Sequence, residues 1–490
     1  MNILHEKLSD IFSRYPDKKA VITDRDYITY RDLYEHVKEF AMLLRDRGFT
    51  AKDRVAIQAL NTVSFIAVYL ACLKENICVI PIDPRFTHDE INEIFLECGP
   101  KASILFKDNG QFFDYIQSNH ALTVSEDFFF ERFRAVLFEL STESETRFLA
   151  DDFVIHYSSG STGKPKGIIL SFDNIFHKVS NWNHTIKSTP DDIYLCTLTL
   201  SHCFGLYVHT LSSLMSGATV VIPDIHTVTP RRIAKLIRDH SVTIFGTLPY
   251  MYSLLTKLPN EDLSLDSVRY LISGSAPLSE TTAFEFREKF GCSLNQVYGL
   301  TEIGLVCFNT DEAKPLSLGK LTSGMRAKVL DENGHECDDG VPGELVVTCG
   351  SLSRGYVNND EEQKDMFIDN WLHTKDIVVR EGEIFRICGR LNHMINVGGN
   401  KVSPTEIEDI LLTHPSVESA AIIGQRSGDM ERIVAFVISF DKSRNLESDL
   451  INHCRERMSA FKIPKEIRIC SSFPTSSIGK ILKSKLYDTL

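Results

Sequence analysis

The chain has 490 residues, 43% hydrophobic and 24% charged, a composition typical of a globular protein that can bury large cores in more than one domain. The formal net charge of −13 argues against nucleic acid as the main partner, because a phosphate backbone requires a basic face. The 12 cysteines show neither a C-x-x-C pair nor zinc-like spacing, so we expect reduced thiols in a cytoplasmic protein.

Strand-like and helical segments alternate through the first three fifths of the chain. A hairpin is predicted around Asp24, and Thr29 with Asp32 predicts a capping box for the next helix. The apolar stretch 65–73 predicts a helix too short to span a membrane, and the first residues carry no signal core. Strands are predicted at residues 20–23, 27–29, 78–82, 102–106, 219–222, 242–245 and 270–273. This alternation is typical of a mostly parallel sheet with helices on both faces.

The last third of the chain has a different texture. Beyond Leu318, short strands and Gly-rich turns predict a small β-barrel-like unit, with strands at residues 328–330, 343–347 and 384–387. A compact α+β unit follows residues 389–392. Its first helix is predicted to begin at Pro404 within a capping box formed by Ser403 and Glu406. Further strands are predicted at residues 417–423, 432–440 and 467–469, and a helix at 450–458.

A loop rich in glycine, hydroxyl and lysine side chains lies between two strand-like runs, residues 153–155 and 168–170. Its chemistry-bearing residues are Ser158, Ser159, Gly160, Ser161, Thr162, Gly163, Lys164 and Lys166. Glycines let backbone N–H groups approach a ligand, and hydroxyl and ammonium groups add donors, as a triphosphate requires. Pro165 stands where a Walker loop has its second glycine, which argues against a P-loop kinase or ATPase. The alternative is a flexible hairpin turn.

The loop resembles the signature of the adenylate-forming superfamily, which includes acyl- and aryl-CoA synthetases, amino-acid adenylation domains and beetle luciferases. Further motifs follow in the family's order over nearly the whole chain. The resemblance implies an α/β fold with a large N-terminal domain, residues 1–391, of two Rossmann-like subdomains plus a small β-barrel. A small mobile α+β lid, residues 392–490, is expected to follow.

Two motifs resemble the family's nucleotide site. In the segment 296–302, the family's roles assign Tyr298 to adenine stacking, Thr301 to a phosphate oxygen and Glu302 to Mg²⁺, with Gly299 between them. Upstream, Gly274, Ser275 and Ala276 resemble the stretch whose backbone lies beside adenine and the acyl group. The alternatives are a helix start with Thr301 near its cap, and an ordinary loop.

The ribose contact is carried by a motif that departs from the family pattern. Asp376 matches the acid that holds the ribose hydroxyls, and Arg390 matches another nucleotide contact, whereas Lys375 replaces the family's glycine. The alternative for Asp376 is a surface ion pair with its neighbour. Because Lys375 stands in place of that glycine, the sequence alone does not predict the conformation of the turn.

The segment 200–206 resembles the family's P-x-x-H-x-x-G-L motif, which implies that His202 stands at the mouth of the carboxylate pocket. The alternative is a core histidine. The expected acyl pocket consists of His202, Phe204, Gly205, Gly246, Ser273 and Ile303. Amino-acid adenylation domains place an Asp in this region, but no acid lies between Leu195 and Val221 here. Because a buried, unpaired ammonium is costly, we expect a plain organic acid rather than an α-amino acid.

The last hundred residues resemble the family's lid. Asn392 occupies the position of the pivot residue, and Gly398 and Gly399 match the loop that lines the thiol tunnel. Lys480 matches the lysine that bridges the substrate carboxylate and the α-phosphate. The alternatives are an ordinary turn and a solvated lysine.

The resemblance implies an AMP-forming acid–thiol ligase. ATP activates a fatty or aryl acid as acyl-AMP, Mg²⁺ assists, and coenzyme A accepts the acyl group. Lys480, Thr162, Glu302 and His202 are the expected catalytic residues. No G-G-[DH]-S attachment site is found, so the thiol is expected to arrive in trans. The alternatives are loading of a separate carrier protein, a luciferase-like oxygenase, and a non-catalytic adenylate binder, which would be expected to lose Lys480 or Glu302.

Overall fold

The computed structural model describes the chain apart from residues 1, 52, 59, 107–120, 131–132, 141–147, 160–164, 260–262, 392–394, 398–399, 428–429, 441–445, 476–480 and 488–490. The α-helices are α1 (Ile3–Arg14), α2 (Tyr30–Asp46), α3 (Val63–Glu75), α4 (His88–Cys98), α5 (Phe172–Ile186), α6 (Ser212–Ser216), α7 (Pro230–His240), α8 (Pro249–Leu255), α9 (Glu280–Phe290), α10 (Asp360–Met366), α11 (Pro404–Leu412), α12 (Leu446–Arg455) and α13 (Lys483–Leu486). A π-helix spans Phe204–Leu211, and short 3-10 helices span Ile225–Thr227 and Ala460–Lys462.

The strands form two large and three smaller sheets. In the first half they are β1 (Lys19–Ile22), β2 (Tyr27–Thr29), β3 (Arg54–Gln58), β4 (Cys78–Ile82), β5 (Ala102–Phe106), β6 (Ala121–Phe130), β7 (Phe133–Leu140), β8 (Asp152–Ser159), β9 (Pro165–Ser171), β10 (Ile193–Cys196), β11 (Thr219–Val221) and β12 (Ile244–Thr247). The second half contributes β13 (Tyr270–Ser273), β14 (Asn295–Leu300), β15 (Gly304–Phe308), β16 (Lys320–Leu321), β17 (Arg326–Leu330), β18 (Gly343–Thr348), β19 (Gly355–Tyr356), β20 (Phe367–Ile368), β21 (Trp371–Glu381), β22 (Ile384–Arg390), β23 (Ile395–Val397), β24 (Asn400–Val402), β25 (Val417–Ser427), β26 (Met430–Ser439) and β27 (Glu466–Cys470).

A nine-stranded sheet runs in the order β16-β15-β14-β13-β12-β10-β11-β1-β2. Its six inner strands from β14 to β1 are parallel, and antiparallel strands cover both edges. The predicted hairpin is confirmed as β1–β2, and the Thr29–Asp32 capping box is confirmed at the start of α2. Parallel strands place their carboxyl ends at one edge, and that edge is where doubly wound folds bind ligands.

An eight-stranded sheet runs in the order β19-β9-β8-β4-β3-β5-β7-β6 and has four parallel strands, β8, β4, β3 and β5, at its centre. The residues of α3 from Val63 to Leu73 are buried on every face, as in a helix inside a large core. The Tyr69 ring of α3 lies 5.1 Å from Phe153 of β8, and Phe153 stacks at 4.8 Å on Phe172 of α5. One hydrophobic core therefore joins this sheet to the helices of the other.

The predicted barrel-like unit corresponds to a five-stranded antiparallel sheet in the order β17-β18-β21-β20, with β22 paired to β21. The last part of the chain builds a two-stranded sheet, β23–β24, and a three-stranded sheet, β25-β26-β27. Its core contains residues of α11, α12 and these strands. The domain boundary between residues 391 and 392 stays a prediction.

The predicted capping box at Ser403 is wrong, although α11 does begin at Pro404. The buried Ser403 hydroxyl makes no side-chain cap bond and finds no partner within the described part of the chain. Both Glu406 carboxylate oxygens instead bind the Lys462 ammonium, at 2.5 and 2.7 Å. Glu406 thus forms an ion pair with a distant segment of the chain instead of the hydrogen bond with the backbone N–H of Ser403 that a capping box requires.

Substitution of the two N-cap residues should therefore give different results. Thr29→Ala should lower the free energy of unfolding by about 1 kcal/mol, because it removes the 3.2 Å bond from the Asp32 N–H. Ser403→Ala should change it by less than about 0.5 kcal/mol. Urea unfolding followed by circular dichroism measures both, and equal losses would contradict the assignment of the caps.

Candidate active site

The expected nucleotide and acid residues gather at the carboxyl ends of β12, β13 and β14. Gly246 lies near the end of β12, Gly274 follows β13, and Gly299 lies near the end of β14. The Gly274 N–H donates to the Thr247 carbonyl at 3.2 Å, which ties the end of β13 to that of β12. Ser275 adopts a left-handed φ of 65°, so the chain turns sharply as it leaves the sheet. Ser275 is exposed and Ala276 is half-buried.

Tyr298, Asp376 and Arg390 form one cluster, as expected for residues that share a nucleotide. The Tyr298 hydroxyl donates to Asp376 Oδ2 at 2.5 Å, and Arg390 Nε lies 3.4 Å from Asp376 Oδ1. Asp376 and Arg390 are cross-strand partners on β21 and β22. Burial, and then the Asp376 carboxylate, raise the pKa of the Tyr298 hydroxyl. The hydroxyl therefore remains a donor, and the Asp376 carboxylate faces the end of the parallel sheet.

Lys375 adopts the left-handed conformation that a glycine would supply. Its φ is 59°, which costs a residue with a Cβ about 1–2 kcal/mol. The backbone N–H donates to Glu344 Oε1 at 3.0 Å, and the ammonium contacts Asp365 Oδ1 at 2.8 Å. These contacts hold the turn, so replacement of the family's glycine leaves Asp376 in place.

Thr301 and Glu302 lie in the turn of a hairpin, because β14 pairs antiparallel with β15 immediately afterwards. The alternative of a helix start at Thr301 is therefore wrong. The Tyr356 hydroxyl donates to Glu302 Oε1 at 2.9 Å, and the Glu302 carbonyl accepts from the Ser353 N–H at 2.7 Å. Burial and then Glu302 raise the pKa of Tyr356. Glu302 is half-buried and its side chain is held in one orientation.

Mg²⁺ fits this site only as an ion shared with the substrate. Among the described residues, no group of three or more His, Cys, Asp or Glu side chains is arranged to hold a metal. The Glu302 carboxylate, held by the Tyr356 hydroxyl, is the group that the family resemblance assigns to such an ion. Mg²⁺ commonly binds through one or two carboxylates together with substrate phosphates, so the donor set is compatible with it.

A buried lysine beneath this hairpin escaped the motif analysis. The Lys178 ammonium donates to the Thr301 carbonyl at 3.1 Å and is electrostatically coupled to Glu302. Burial lowers the pKa of Lys178 from 10.5 to about 8. The sequence does contain a hint of it, because the helical spacing puts Lys178 on the same apolar face of α5 as Ile175 and Trp182.

The phosphate loop joins β8 and β9, which pair antiparallel up to Ser159 and Pro165, so the predicted flanking strands are confirmed. The backbones of Ser158 and Ser159 belong to β8. Lys166 Nζ forms an ion pair with Glu362 of α10. The loop residues themselves, Gly160, Ser161, Thr162, Gly163 and Lys164, lie outside the described residues. So do Asn392, Gly398, Gly399 and Lys480 of the expected lid.

The expected acid residues lie around the start of the π-helix. His202 is half-buried, and its Nδ1 accepts from the Phe204 N–H at 3.4 Å. Phe204, Gly205, Ser273 and Ile303 are all buried. A Cβ on Gly205 would lie 2.5 Å from the Thr199 carbonyl, so only glycine lets the π-helix approach the loop that carries His202. π-Helical turns are frequent at functional sites.

The negative charge of a buried acid near this loop, Asp83, is already compensated by a protein cation. Asp83 Oδ2 accepts from the Ser201 hydroxyl at 2.7 Å and from Arg85 at 2.7 Å. Burial opposes the charge, but the Arg85 guanidinium outweighs it and lowers the pKa of Asp83. The Asp83 carboxylate, which contacts Ser201 next to His202, is thus committed to a protein partner.

Comparison with known proteins assigns the family. The profile described as AMP-binding enzyme matches residues 8–357, and that of the AMP-binding enzyme C-terminal domain matches residues 406–480. The chain belongs to the AMP-binding enzyme family. The adenylate-forming identity, the AMP-forming ligase class and the α/β fold with a large N-terminal and a small C-terminal domain are therefore confirmed.

Several relatives cover nearly the whole enzyme. An oxalate–CoA ligase of Arabidopsis thaliana is 26% identical over 97% of this chain and 96% of its own length. FadD13, a long-chain-fatty-acid–CoA ligase of Mycobacterium tuberculosis, is 28% identical over 94% of this chain and 92% of its own. The structure of ATP-bound MatB from Rhodopseudomonas palustris matches with a TM-score of 0.88 and 26% identity, covering 100% of this chain and 99% of that one. The apo form of MatB gives a lower TM-score of 0.76.

Within the described ranges, none of the enzyme's helices combines the length and apolarity that a membrane crossing needs.

The left-handed turn at Lys375 can be tested with two substitutions that both remove the ion pair with Asp365. Lys375→Gly relieves the strain at φ 59°, whereas Lys375→Ala retains it. We expect the glycine variant to be more stable than the alanine variant by about 1 kcal/mol in urea unfolding. Equal stability would contradict a left-handed conformation at this position.

Lys178 should make stability depend on pH. Its pKa in the folded enzyme, about 8, is below that of the unfolded chain, so keeping it protonated opposes folding below pH 8. That penalty disappears as pH rises from about 8 towards 10.5. Lys178→Met should therefore stabilise the enzyme by about 2 kcal/mol at pH 7, after loss of its hydrogen bond, and by less at pH 10.

Thermal unfolding at both pH values measures this difference. The matched control is Lys7→Met, which changes an exposed lysine of α1 and should give the same Tm shift at pH 7 and pH 10. A Lys178→Met shift that is equal at the two pH values would contradict a perturbed lysine.

Proposed function

We propose that the protein activates a carboxylic acid with ATP as acyl-AMP and then transfers the acyl group to the thiol of coenzyme A. The observation that carries the proposal is the cluster of Tyr298, Asp376 and Arg390. It lies at the same edge of the sheet as Gly274, which is packed against the Phe204 ring of the expected acyl pocket. An aromatic ring, a carboxylate acceptor for ribose hydroxyls and a cation suit an adenosine phosphate. The buried, apolar residues Phe204, Gly205 and Ile303, which are expected to line the acyl pocket, suit an acid joined to it.

The first step joins two anions. A carboxylate oxygen attacks the α-phosphorus, the bond from that phosphorus to the bridging oxygen breaks, and pyrophosphate leaves. Because the two anions repel each other strongly at low dielectric, a cation between them is required. We assign this role to Lys480. The loop residues from Ser158 to Lys166, with Thr162 among them, hold the departing phosphates by backbone and hydroxyl donors.

In the second step the thiol sulfur attacks the acyl carbon, the bond from that carbon to the phosphate oxygen breaks, and AMP leaves. One lid cannot present both Lys480 and the Gly398–Gly399 loop to the same site. We therefore propose that residues 392–490 form a lid that turns about Asn392 between the steps. When bound by Glu302, Mg²⁺ would neutralise charge on the phosphates.

Coenzyme A as the acceptor is supported by the names of the relatives, which include oxalate– and long-chain-fatty-acid–CoA ligases. The absence of Asp and Glu from residues 196–220, together with the pairing of Asp83 to Arg85, supports an acid without an α-ammonium group. A carboxylic acid without an ammonium group beside its carboxylate is thus favoured over an amino acid.

An ATP–pyrophosphate exchange screen over aliphatic, aryl and amino acids tests the first step. Mass spectrometry of the product with coenzyme A or a phosphopantetheinylated carrier protein tests the second. We expect exchange with acids that lack an α-ammonium group, and a coenzyme A thioester. Exchange with amino acids alone would overturn the acid, and acylation of the carrier alone would overturn the acceptor.

Lys480→Ala should separate the two steps. Because its charge is needed only where two anions meet, we expect the adenylation rate to fall by at least about a thousandfold. Conversion of chemically made acyl-AMP to the thioester should fall by less than about tenfold. Equal losses in both assays would show that Lys480 has a structural role instead.

Glu302→Gln should raise the Mg²⁺ concentration needed for half-maximal adenylation by about tenfold, since it removes only a charge. Tyr356→Phe is the matched control, because it removes the hydroxyl that donates to Glu302 and leaves the carboxylate charged. The shift in Mg²⁺ requirement for the control should be at most about threefold. A normal Mg²⁺ requirement in Glu302→Gln would contradict the metal role.

A further inference from the structure

Two glycines leave room at the strand ends where we expect the acyl group to lie. Gly246 occupies the next-to-last position of β12, and Gly274 directly follows β13. In a doubly wound sheet, ligands enter at these carboxyl ends. Absence of a Cβ at both positions would, by itself, open a groove between the sheet and the π-helix.

Two rings of the π-helix already occupy that groove. His209 Nε2 lies only 2.5 Å, and its Cε1 2.8 Å, from where a Cβ on Gly246 would stand. The Phe204 ring lies 3.1 Å from the corresponding Cβ position on Gly274. The two rings also contact each other, with centroids 5.1 Å apart and planes at 60°. Together they form a continuous wall against the ends of β12 and β13.

The His209 ring is held firmly in this wall. It is fully buried, and its Nδ1–H donates to the Phe204 carbonyl at 3.0 Å, so the residue that anchors it also supplies the neighbouring ring. Burial lowers the pKa of His209 to about 4, which keeps the imidazole neutral at physiological pH. Its Nε2 has no partner among the described residues, which costs about 1–3 kcal/mol. Packing against Gly246, rather than a second hydrogen bond, therefore positions this end of the ring.

We propose that Phe204 and His209 close the acyl pocket at the ends of β12 and β13, so that the enzyme selects short aliphatic carboxylic acids such as acetate or butyrate. His209 is then a specificity-determining residue that the motif analysis did not single out. The inference rests on the proposed function, because it assigns the substrate class of that same pocket. A longer chain or a benzoyl ring could enter only by displacing the imidazole.

The test separates binding from turnover. Binding of nonhydrolysable acyl sulfamoyl adenosines with acetyl, butyryl, octanoyl and benzoyl groups is measured by calorimetry. Formation of acyl-CoA from the matching acids is measured in parallel. We expect the wild-type enzyme to bind the butyryl analogue at least about tenfold more tightly than the octanoyl analogue, since misfit of methylene groups in a closed pocket costs that much or more.

His209→Ala should open the pocket and raise affinity for the octanoyl analogue by at least about tenfold. His209→Gln is the conservative control, because it refills the space with a side chain of similar size and should keep the wild-type order. Gly246→Ala alone should destabilise the enzyme, since the new methyl would meet His209 Nε2 at 2.5 Å. The double variant His209→Ala, Gly246→Ala should fold and regain preference for the butyryl analogue.

Equal or tighter binding of the octanoyl analogue by the wild-type enzyme would overturn the proposal, even if no variant folds. An unchanged order of affinities in a folded His209→Ala variant would also overturn it. If the short analogues are preferred but no acid yields a coenzyme A thioester, the proposed function fails and the closed pocket stands.

Discussion

The hydrogen bond between Tyr298 and Asp376 connects the parts of the molecule on which the nucleotide site depends. Tyr298 belongs to the nine-stranded sheet and Asp376 to the five-stranded sheet, 78 residues later in the chain. A short bond from a phenol to a carboxylate is charge-assisted and therefore stronger than one between neutral groups. It holds β21 against the carboxyl end of the parallel strands, and with β21 come its partner β22 and Arg390. The left-handed turn at Lys375, which bonds to Glu344 and Asp365 hold in place, positions this carboxylate.

Other charged side chains around the site are paired with an opposite charge. Asp83 is paired with Arg85, and Lys166 with Glu362. Lys178 stands apart, because its hydrogen-bond partner is the Thr301 carbonyl, a neutral group. A cation beneath Thr301 and Glu302 adds positive potential at the place where phosphate oxygens are expected. Burying it is unfavourable for stability, and strained or costly groups often accompany function.

The part of the site that is expected to bind the substrate acid depends on shape rather than on charge. In the π-helix, His209 lies five residues after Phe204, and its imidazole donates a hydrogen bond to the Phe204 carbonyl. Glycines at the facing strand ends leave room for both rings. In this arrangement each glycine matters for the side chain it admits rather than for its own flexibility. The same fold could hold a larger acyl group if the rings were smaller, which is how one scaffold serves many acids.

Much of the protein follows from the sequence alone. Strands such as β1, β4 and β5, the Thr29 cap and the flanks of the phosphate loop depend on residues a few positions apart, so periodicity and turn chemistry predict them. The motifs also predict the nucleotide residues, because their order along the chain is distinctive. The tertiary structure decided what local patterns could not. Glu406 binds Lys462 instead of capping its own helix, and Thr301 lies in a hairpin rather than a helix start.

Lys178 meets Thr301 across 123 residues of sequence, and His209 faces Gly246 through the order of the strands. Such contacts depend on which strands become neighbours in the sheet. Burial in the assembled core then sets whether a lysine is protonated and whether a pocket is open, and no short segment of the chain contains that information.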